Sequence, residues 1–575
     1  MNMFKRKYSK ITEIDPNEVL LDSKNLANFN MQQFEGRIEK PISKYTIILL
    51  GIFFFVIQIS YLSKVGILQI AQGEGLRIRA ENNRLDHSVI FGDRGIIYDR
   101  NKVPLVWNVL SGNPNDWETA TSSEHKDVLN DFALRRYIAD PGFSHILGYV
   151  SYPAKDKSGN YYSTEYEGRD GVEKIYNKDL NGITGLKIEE VDALSNTRSE
   201  SVIEPPVSGK DLVLTIDSRV QKQLYKVISD AAISSGFRAG SGVIMDVNSG
   251  EILAMTSYPE YSSQVITDGS DKKTISSYQT NKATPFLDRA VSGLYTPGSI
   301  VKPFMAIAAL DVGVINPSKK ILSTGAITIP NPYFPDKPSV FKDWRAHGWV
   351  DMRDAIAVSS DVYFYAVGGG YKDQKGIGIA NIDKYMRLFG FGSKTGIDVE
   401  GEAVGTIPTP EWKKQNFSGA DWLLGDTYHT AIGQYGFQVS PLQSAHAVAA
   451  IASGGTLVTP HVVVNTTIQK KQIADIPASY FDVASEGMRR SVLFGIAGAL
   501  NVASVNIAAK TGTAELGVKK DMVNSWIVGF FPYEHPRYAF ALVMEHGPVK
   551  YTQGAPATMG QMVNWMGIYT PEYFK

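Results

Sequence analysis

The chain has 575 residues, 43% hydrophobic and 20% charged, which is typical of a globular protein of roughly two to four domains. Its formal net charge is −1, and no basic stripe with interleaved aromatic residues is visible, which argues against a nucleic-acid partner. Cysteine is absent, which excludes disulfides, thiolate zinc sites and cysteine nucleophiles.

An uncharged apolar run lies close to the N-terminus. Residues 45–63, YTIILLGIFFFVIQISYLS, are bracketed by Lys44 and Lys64. As a helix this run spans roughly 28 Å, about one bilayer core. It is too long for a cleaved signal peptide, and no small-residue cleavage site follows it. The run predicts a permanent transmembrane anchor, with residues 1–44 as a cytoplasmic tail, although basic residues on both flanks leave the orientation open from charge alone.

The region from 64 to 206 is polar and rich in turns. Short strand-like runs occur at residues 88–99 (SVIFGDRGIIYD) and 143–150 (FSHILGYV), and a helix is predicted to start in residues 181–194 (NGITGLKIEEVDAL). We expect a small β-rich domain here.

From about residue 207 the pattern becomes regular. Residues 211–217 alternate as a strand, 218–234 have helical spacing, and 241–259 predict two strands around the turn Asn248-Ser249-Gly250. Apolar helices are predicted near 303–311 and 440–453, and three further strands lie within 506–547. Strands, then helices, then strands that close one sheet predict an α+β or mixed α/β domain over 207–575.

Three short motifs follow one another in this domain: Ser-x-x-Lys, Ser-x-Asp and Lys-Thr-Gly. Each is weak by itself, because matches recur along the chain. Ser-x-x-Lys occurs four times, at Ser123, Ser270, Ser299 and Ser339. Lys-Ser/Thr-Gly occurs at Lys157, Lys394 and Lys510. The Gly-x-Ser-x-Gly and His-Glu-x-x-His signatures are missing from the sequence.

Sequence context selects one copy of each motif. Ser299 and Lys302 precede Pro303 and an apolar helix, which predicts that Ser299 lies at the helix N-terminus with Lys302 on the same face. Lys510 lies on an apolar strand that two further strands can pair with, whereas Lys394 and Lys157 lie in loop-like text.

The middle motif is Ser359-Ser360-Asp361. Read alone, the two serines are equally explained as a helix N-cap before the apolar run VYFYAV. Their place between the other two motifs favours a catalytic role for Ser359.

The motifs predict an acyl transfer through serine. A serine hydroxyl attacks only after a base removes its proton, and a lysine can act as that base only when it is neutral. Burial and a second cation nearby favour the neutral form, and Lys510 would be that cation. Ser359 would relay a proton to the leaving amine, and the backbone N–H groups of Ser299 and Thr513 would form an oxyanion hole.

These motifs, in this order, resemble the penicillin-recognising serine enzymes. RGIIYDRN after an anchor, LTID, GSIVKPF, FGFGSKTGID and IGQYGFQVSPLQ resemble landmarks of class B penicillin-binding proteins. HGWVDMRDA with SSDVYFY is similar to the elongation-type branch, the penicillin-binding protein 2 subfamily.

The resemblance implies a pedestal domain over 64–206 and a serine β-lactamase-like transpeptidase domain over 207–575, its central antiparallel sheet flanked by helices. It implies a peptidoglycan D,D-transpeptidase of the cytoplasmic (inner) membrane that acts in cell-wall elongation and shape maintenance. Stem peptides ending in D-Ala-D-Ala and β-lactams would acylate it outside that membrane, beside a SEDS-family glycan polymerase, without a cofactor. The catalytic residues would be Ser299, Lys302 and Ser359, and the substrate-binding residues Asp361, Lys510, Thr511, Gly512 and Thr513.

Two positions and one stretch depart from the family pattern. Asp361 replaces the usual Asn, and an ionised carboxylate accepts hydrogen bonds but cannot donate them. Ser440 replaces the usual Thr before Pro-Leu-Gln. The stretch between Asn108 and His145 is shorter than the head subdomain of relatives, so the pedestal looks trimmed.

Other interpretations stay open. A D,D-carboxypeptidase or β-lactamase of the same fold, a division-type transpeptidase and a non-catalytic β-lactam sensor or wall scaffold share parts of this pattern. Asp343, His347 and Asp351 lie close in sequence, where some relatives hold zinc with a cysteine. Since this chain lacks cysteine, we expect polar structural roles for them and no metal.

Overall fold

The structure is a computed structural model, and it divides the chain into two compact units. It describes residues 43–82, 85–110, 132–191, 197–331, 333–464, 467–473, 475–517, 519, 521–550 and 554–575. The first unit comprises residues 1–86 with 191–196, and the second comprises 87–190 with 197–575. Most of the predicted tail, the Ser-x-x-Lys match at Ser123 and part of the supposedly trimmed head lie outside the described residues.

The first unit contains the predicted apolar helix. Helix α1 (Lys44–Gly66) continues through a π-helical turn (Ile67–Ala71), and α2 (Gly73–Asn82) follows. The combined helix Lys44–Ala71 is long and apolar enough to cross a membrane, and none of it is buried. The helix is longer than the predicted run 45–63, because it begins at Lys44 and continues past Lys64 to Ala71.

The segment up to Val213 is built mainly from short strands. Its elements are β1 (Leu85–Ile90), β2 (Ile97–Tyr98), β3 (Pro104–Val109), β4 (Leu134–Tyr137), α3 (Ser144–Leu147), β5 (Val150–Ser151), β6 (Ala154–Lys155), β7 (Tyr161–Ser163), β8 (Glu167–Gly168), α4 (Gly171–Ile175), α5 (Asn177–Leu180), β9 (Gly185–Val191), β10 (Thr197–Glu204) and β11 (Leu212–Val213). One sheet has the order β11-β2-β3-β4 and another β1-β9-β10.

Two local predictions in this segment are wrong. The helix predicted to start within 181–194 is strand β9, whose Lys187 pairs with Glu200 on β10 at 3.3 Å. The centre of the run 143–150 is the short helix α3 rather than a strand, and only its last residue, Val150, belongs to a strand. The Glu260 carboxylate accepts hydrogen bonds from the backbone N–H groups of Gly142 and Ser144, which favours this helical start over an extended chain.

The RGIIYDRN landmark is partly buried and joins this segment to the next. The Asp99 carboxylate accepts hydrogen bonds from Ser218 N at 3.1 Å and Ser218 Oγ at 2.7 Å, at the start of the first helix of the larger domain. Arg94 and Arg135 both pair with Glu173, and all three side chains are fully buried. Because a buried charge is costly without a partner, this triad depends on all three members.

The rest of the chain forms helices around one sheet. Its elements are α6 (Ser218–Ser235), β12 (Ala239–Asp246), β13 (Ile252–Tyr258), α7 (Ser263–Asp268), α8 (Lys272–Thr280), α9 (Lys302–Asp311), β14 (Ile321–Ser323), β15 (Ala326–Ile329), β16 (Ser339–Lys342), β17 (Gly348–Val350), α10 (Met352–Ala357), α11 (Asp361–Gly369), α12 (Gly378–Leu388), α13 (Pro410–Asn416), α14 (Leu424–Ala431), α15 (Pro441–Ala452), β18 (Thr456–Val458), β19 (Lys470–Gln472), α16 (Ala478–Leu493), β20 (Ala508–Leu516), β21 (Met522–Phe531), β22 (Tyr538–Pro548) and α17 (Ala555–Tyr569).

The central sheet is antiparallel with the order β13-β12-β22-β21-β20. Strands from both ends of the domain therefore close one sheet, as the sequence predicts. Successive side chains alternate between its two faces. Val243 and Val543 belong to the core that contains α9 and α15, whereas Ile244 and Leu542 belong to the core that contains α6 and α17. β20, which carries Lys510, is left at one end of the strand order.

Candidate active site

Ser299 lies where the sequence predicts, at the start of a buried helix. It belongs to a 3-10 turn (Gly298–Val301) that leads directly into α9, and its side chain is partly exposed. Pro303 occupies the first turn of α9, where it disrupts no helical hydrogen bond. Residues 302–310 of this helix are all buried, so the serine is presented by a rigid element.

Two glycines bring strand β20 against the Ser299 turn. A Cβ atom on Gly512 would lie 2.6 Å from the carbonyl oxygen of Pro297, so no larger residue fits without a shift. Gly298 has φ +58°, and a Cβ atom there would lie 2.8 Å from Thr513 O. The backbone of Thr513 is thus adjacent to the turn that carries Ser299. The oxyanion hole predicted from the N–H groups of Ser299 and Thr513 stays a prediction.

Lys302 points from α9 into the helical part of the domain. Its side chain is fully buried. Its Nζ donates to Ser359 O at 2.8 Å, to Ser359 Oγ at 3.2 Å and to Asp361 Oδ1 at 2.6 Å. An ammonium group has three donors, and these contacts occupy all of them. Lys302 must therefore lose one proton, and with it one of these contacts, before it can accept the proton of Ser299.

Ser359 lies between the two lysines and is not a helix cap. The N-cap of α11 is Ser360, whose side chain accepts from Tyr363 N. Ser359 is buried and adopts φ +59°, a left-handed conformation that is uncommon for serine. Its Oγ accepts from Lys302 Nζ at 3.2 Å and from Lys510 Nζ at 2.9 Å. The N-cap interpretation therefore holds for Ser360, whereas the side chain of Ser359 is hydrogen-bonded to the two lysines.

Lys510 is the second buried lysine of the cleft. Its Nζ also donates to Thr511 O at 2.8 Å. Burial lowers the pKa of Lys510 well below its ordinary value, and the nearby charge of Lys302 lowers it further, while Asp361 acts in the opposite direction. A neutral amine at Lys510 can accept the hydroxyl proton of Ser359 as well as donate to its oxygen.

Asp361 contacts Lys302 directly. The sequence predicts that Asp361 faces the substrate amide. The structure adds an ion pair between Asp361 and Lys302, in which the Asp361 side chain is 18% exposed. An Asn at this position would offer a hydrogen bond without the negative charge. The substitution therefore places an anion beside the predicted general base, and Asp361 remains open enough for a substrate to reach it.

The remaining predicted residues lie on β20. Thr511 is buried, and Thr513 is exposed toward solvent. The rival motif copies lie elsewhere: Lys394 is exposed in a loop and Lys157 is exposed in a turn. The structure therefore joins Lys302, Ser359, Asp361 and Lys510 by direct contacts and places the turn of Ser299 against Thr513, whereas Lys394 and Lys157 are exposed outside this group.

Several contributors to the site have no simple sequence signal. Gly298 N donates to Gly433 O at 2.9 Å, and a Cβ atom on Gly433 would lie 2.2 Å from Gly298 O. Trp526 Nε1 donates to Thr296 O at 3.0 Å, which fixes the approach to the nucleophile turn. Gly433 lies inside the IGQYGFQVSPLQ landmark, so the landmark gives its location although the motif logic gives no reason for it. Ser440, at the end of that landmark, caps α15.

The polar residues considered for a metal do not form one group. Asp343 Oδ1 and His347 Nε2 lie 3.4 Å apart, and burial lowers the pKa of His347. Asp351 instead caps α10 by accepting from Asp354 N. Within the described ranges, no three His, Cys, Asp or Glu side chains are placed to hold a metal ion.

Comparison with known proteins gives a consistent picture. The transpeptidase domain of penicillin-binding proteins matches residues 240–561, and the penicillin-binding protein dimerisation domain matches residues 128–214. The peptidoglycan D,D-transpeptidase MrdA of Salmonella typhimurium is 29% identical over 85% of this chain and 90% of its own length.

Solved structures agree with the sequence comparisons. The complex between penicillin-binding protein 2 and MreC from Helicobacter pylori contains a chain with a TM-score of 0.67 and 28% identity, over 84% of this chain and 98% of that one. A chain from a peptidoglycan synthase complex, described as coordinating polymerization and crosslinking, has a TM-score of 0.68 and 25% identity, over 92% and 98%.

Proposed function

The chain belongs to the penicillin-binding protein transpeptidase family, in its class B elongation-type branch, and from this premise we propose that it is a peptidoglycan D,D-transpeptidase with Ser299 as nucleophile. It cross-links stem peptides during cell-wall elongation and is acylated by β-lactams. The observation that carries the residue roles is the position of Ser359 Oγ, within hydrogen-bond distance of both Lys302 and Lys510.

The first half-reaction forms an ester on Ser299. The charged Lys302 first gives up a proton through Ser359 to the neutral amine of Lys510. Ser299 Oγ then attacks the carbonyl carbon of the penultimate D-Ala, and its proton passes to the neutral Lys302. The C–N bond to the terminal D-Ala then breaks, and the leaving amine takes a proton delivered through Ser359. The hydrogen-bonded path from Lys302 through Ser359 to Lys510 supports this route, because each group can donate and accept in turn once one lysine is neutral.

The tetrahedral intermediate requires donors for its negative oxygen. We assign these to the N–H groups of Ser299 and Thr513, and the close approach of β20 to the Gly298 backbone supports the assignment. Removal of one such donor typically costs about 10²–10³ in rate. Lys510 and the Thr511–Thr513 segment line the side where the terminal carboxylate would lie, and that carboxylate would favour the charged form of Lys510.

The second half-reaction transfers the acyl group. An amine of a second stem peptide attacks the ester carbon, its proton passes back to the lysine pair, and Ser299 is regenerated. The product is a new amide bond between two strands. Asp361 stabilises charged Lys302 in the resting state and, being partly exposed, is also placed to accept from a substrate amide N–H.

The surroundings of the catalytic domain follow from the same proposal. Residues 45–63, within the helix Lys44–Ala71, form the membrane anchor, which is the one candidate span in the described part of the chain. Residues 64–206 form the pedestal, and residues 207–575 form the transpeptidase domain outside the cytoplasmic membrane, where peptidoglycan lies. Similarity to a chain of a peptidoglycan synthase complex supports a glycan-polymerising partner, which we assign to the SEDS family.

The function is tested by labelling and by product. The purified full-length chain is treated with fluorescent penicillin, and the modified peptide is mapped. Label on Ser299 and cross-linked product, formed from nascent glycan when the polymerase partner is added, are expected. Label at another serine, or no label on folded protein, would contradict the assignment.

A further inference from the structure

A buried carboxylate lies directly beneath the catalytic turn. The side chain of Asp343 is fully buried. Its Oδ2 accepts hydrogen bonds from Ser360 Oγ at 2.9 Å, from Val362 N at 3.0 Å and from Ser323 Oγ at 3.2 Å. Two of these donors come from the residues on either side of Asp361, and Ser360 directly follows Ser359.

The other oxygen of the same carboxylate is also occupied. Asp343 Oδ1 accepts from Trp344 N at 2.9 Å and lies 3.4 Å from His347 Nε2. His347 is the one ion-pair partner found for Asp343 in the described part of the chain, and because burial lowers its pKa, the ring is mainly neutral at pH 7. Asp343 is thus held by directed hydrogen bonds rather than by a counter-charge. Such charge-assisted bonds are short, directional and stronger than neutral ones.

The turn above Asp343 needs an external support. Ser359 adopts φ +59°, a conformation that non-glycine residues rarely keep unless their surroundings impose it. Ser360 must end the turn and cap α11 at the same time, since Tyr363 N donates to its Oγ. The Asp343 carboxylate accepts hydrogen bonds from the Ser360 hydroxyl and from the Val362 N–H, and so fixes the residues on both sides of Asp361.

We propose that Asp343 is a positioning residue, which holds the Ser359–Asp361 turn so that Ser359 Oγ and Asp361 meet Lys302. This role rests on the proposed function and goes beyond it, because Asp343 lies outside all three motifs and touches neither Ser299 nor a lysine in the contacts above. Its effect on chemistry is transmitted through Ser360 and Val362.

The test compares two capping carboxylates. Asp343→Asn puts an amide where two acceptor oxygens are needed, so that one of the present donors loses its acceptor. Asp351→Asn is the matched control, because Asp351 caps the neighbouring helix α10 and does not contact the turn. In the full-length protein, the rate constant of Ser299 acylation by penicillin is separated from the binding constant of the preceding complex.

We expect Asp343→Asn to lower the acylation rate constant about 10- to 100-fold, since misplacing a reacting group by about 1 Å can cost about 10²-fold. Penicillin binding before acylation should change little. Hydrogen exchange in the peptide around Val362 should be faster than in Asp351→Asn, while the melting temperatures of the two variants should be similar. Normal acylation by folded Asp343→Asn, or an equal loss in Asp351→Asn, would overturn the proposal.

Two further arms keep the result decisive. If Asp343→Asn does not fold, Ser360→Ala removes one donor to the same carboxylate together with the N-cap of α11. Slower acylation with a modestly lowered melting temperature is then expected, and a wild-type rate would overturn the proposal. If the wild-type protein is not acylated at Ser299, the proposed function fails instead, and the hydrogen-exchange comparison then decides whether Asp343 holds the turn.

Discussion

Lys302 and Lys510 share one hydroxyl group: Ser359 Oγ lies 3.2 Å from the first amine and 2.9 Å from the second. Both lysine side chains are fully buried, so two potential cations meet in a site with little solvent. Asp361 provides one negative charge, at 2.6 Å from Lys302. One carboxylate cannot neutralise two ammonium groups. Burial and this imbalance together lower the pKa of Lys510 and favour its neutral amine, which proton transfer requires.

The first prediction concerns the nucleophile. Ser299→Ala should abolish covalent labelling by penicillin, because Ser299 is the serine of the Ser-x-x-Lys motif that the turn Gly298–Val301 presents at the start of α9. Ser339→Ala, at another Ser-x-x-Lys match on β16, is the control and should label like wild type. Mass spectrometry of the labelled peptide measures both. Intact labelling of Ser299→Ala would transfer the role to another residue.

The second prediction concerns the base. Lys302→Arg keeps a cation beside Asp361, but a guanidinium does not release its proton near neutral pH. We expect acylation about 10²-fold slower or more, at the low end of what general-base catalysis contributes. Circular dichroism should show that the fold is retained. An acylation rate near that of wild type at pH 7 would mean that another group removes the Ser299 proton.

Much of this site is predictable from sequence because its elements have strong local signals. Ser299 and Lys302 precede a continuous apolar helix, and Lys510 lies in an apolar strand, so context alone separates them from the rival copies. The sheet of β12, β13 and β20–β22 follows from alternation and turn residues in the same way. These assignments depend on short-range patterns, which tertiary packing reinforces here.

The parts that sequence reasoning misses depend on long-range contacts or on ambiguous patterns. The ion pair between Lys302 and Asp361 and the support from Asp343 join residues from different elements, and no spacing rule predicts them. Residues 185–191 (GLKIEEV) fit a helix by composition, yet they form β9 because β10 supplies a cross-strand partner for Lys187. Pairing with a neighbouring strand outweighs local helix propensity here.

The third prediction separates the two lysines of Lys-Thr-Gly. Lys510→Met should slow acylation about 10- to 100-fold, the loss expected when a hydrogen bond to a charged group is removed. Lys394→Met is the control, and because Lys394 is exposed in a loop its acylation should stay normal. The reverse pattern of rates would mean that the wrong strand has been assigned.

Lys510 should also leave a signature in stability. Its pKa is lowered in the folded protein, so the unfolded chain binds more protons between the folded value and about 10.4. Wild-type stability therefore rises with pH across that window, and the penalty of burying the charge is complete below it. Lys510→Met should melt higher than wild type at pH 6, and this difference should shrink toward pH 10. A difference that does not depend on pH would contradict this origin.

The fourth prediction concerns the close approach of β20. Gly512→Ala places a methyl group 2.6 Å from Pro297 O, and relief of that overlap must move the strand or the Ser299 turn. Overpacking of this kind costs about 1–3 kcal/mol, and we expect acylation at least about 10-fold slower. Gly498→Ala is the control, because nothing lies within 4 Å of its Cβ position. Equal acylation rates in the two variants would show that the contact does not matter for catalysis.

The last prediction distinguishes transfer from hydrolysis. Both begin with the same ester on Ser299, so the motifs do not separate them. A β-lactamase needs a base that holds water over the ester, and Asp361, the carboxylate that contacts Lys302, is already paired with that lysine. Water without a base lacks the ~10²–10⁴-fold help that general-base catalysis gives, so the penicilloyl ester should persist for many minutes. The measurement is to acylate the protein, remove free penicillin and follow the adduct by intact mass. Loss within seconds, with repeated turnover of penicillin, would make the protein a hydrolase. If Ser299 instead forms a stable ester with natural donor peptide and an added amine acceptor does not resolve it, the transfer step alone would be contradicted.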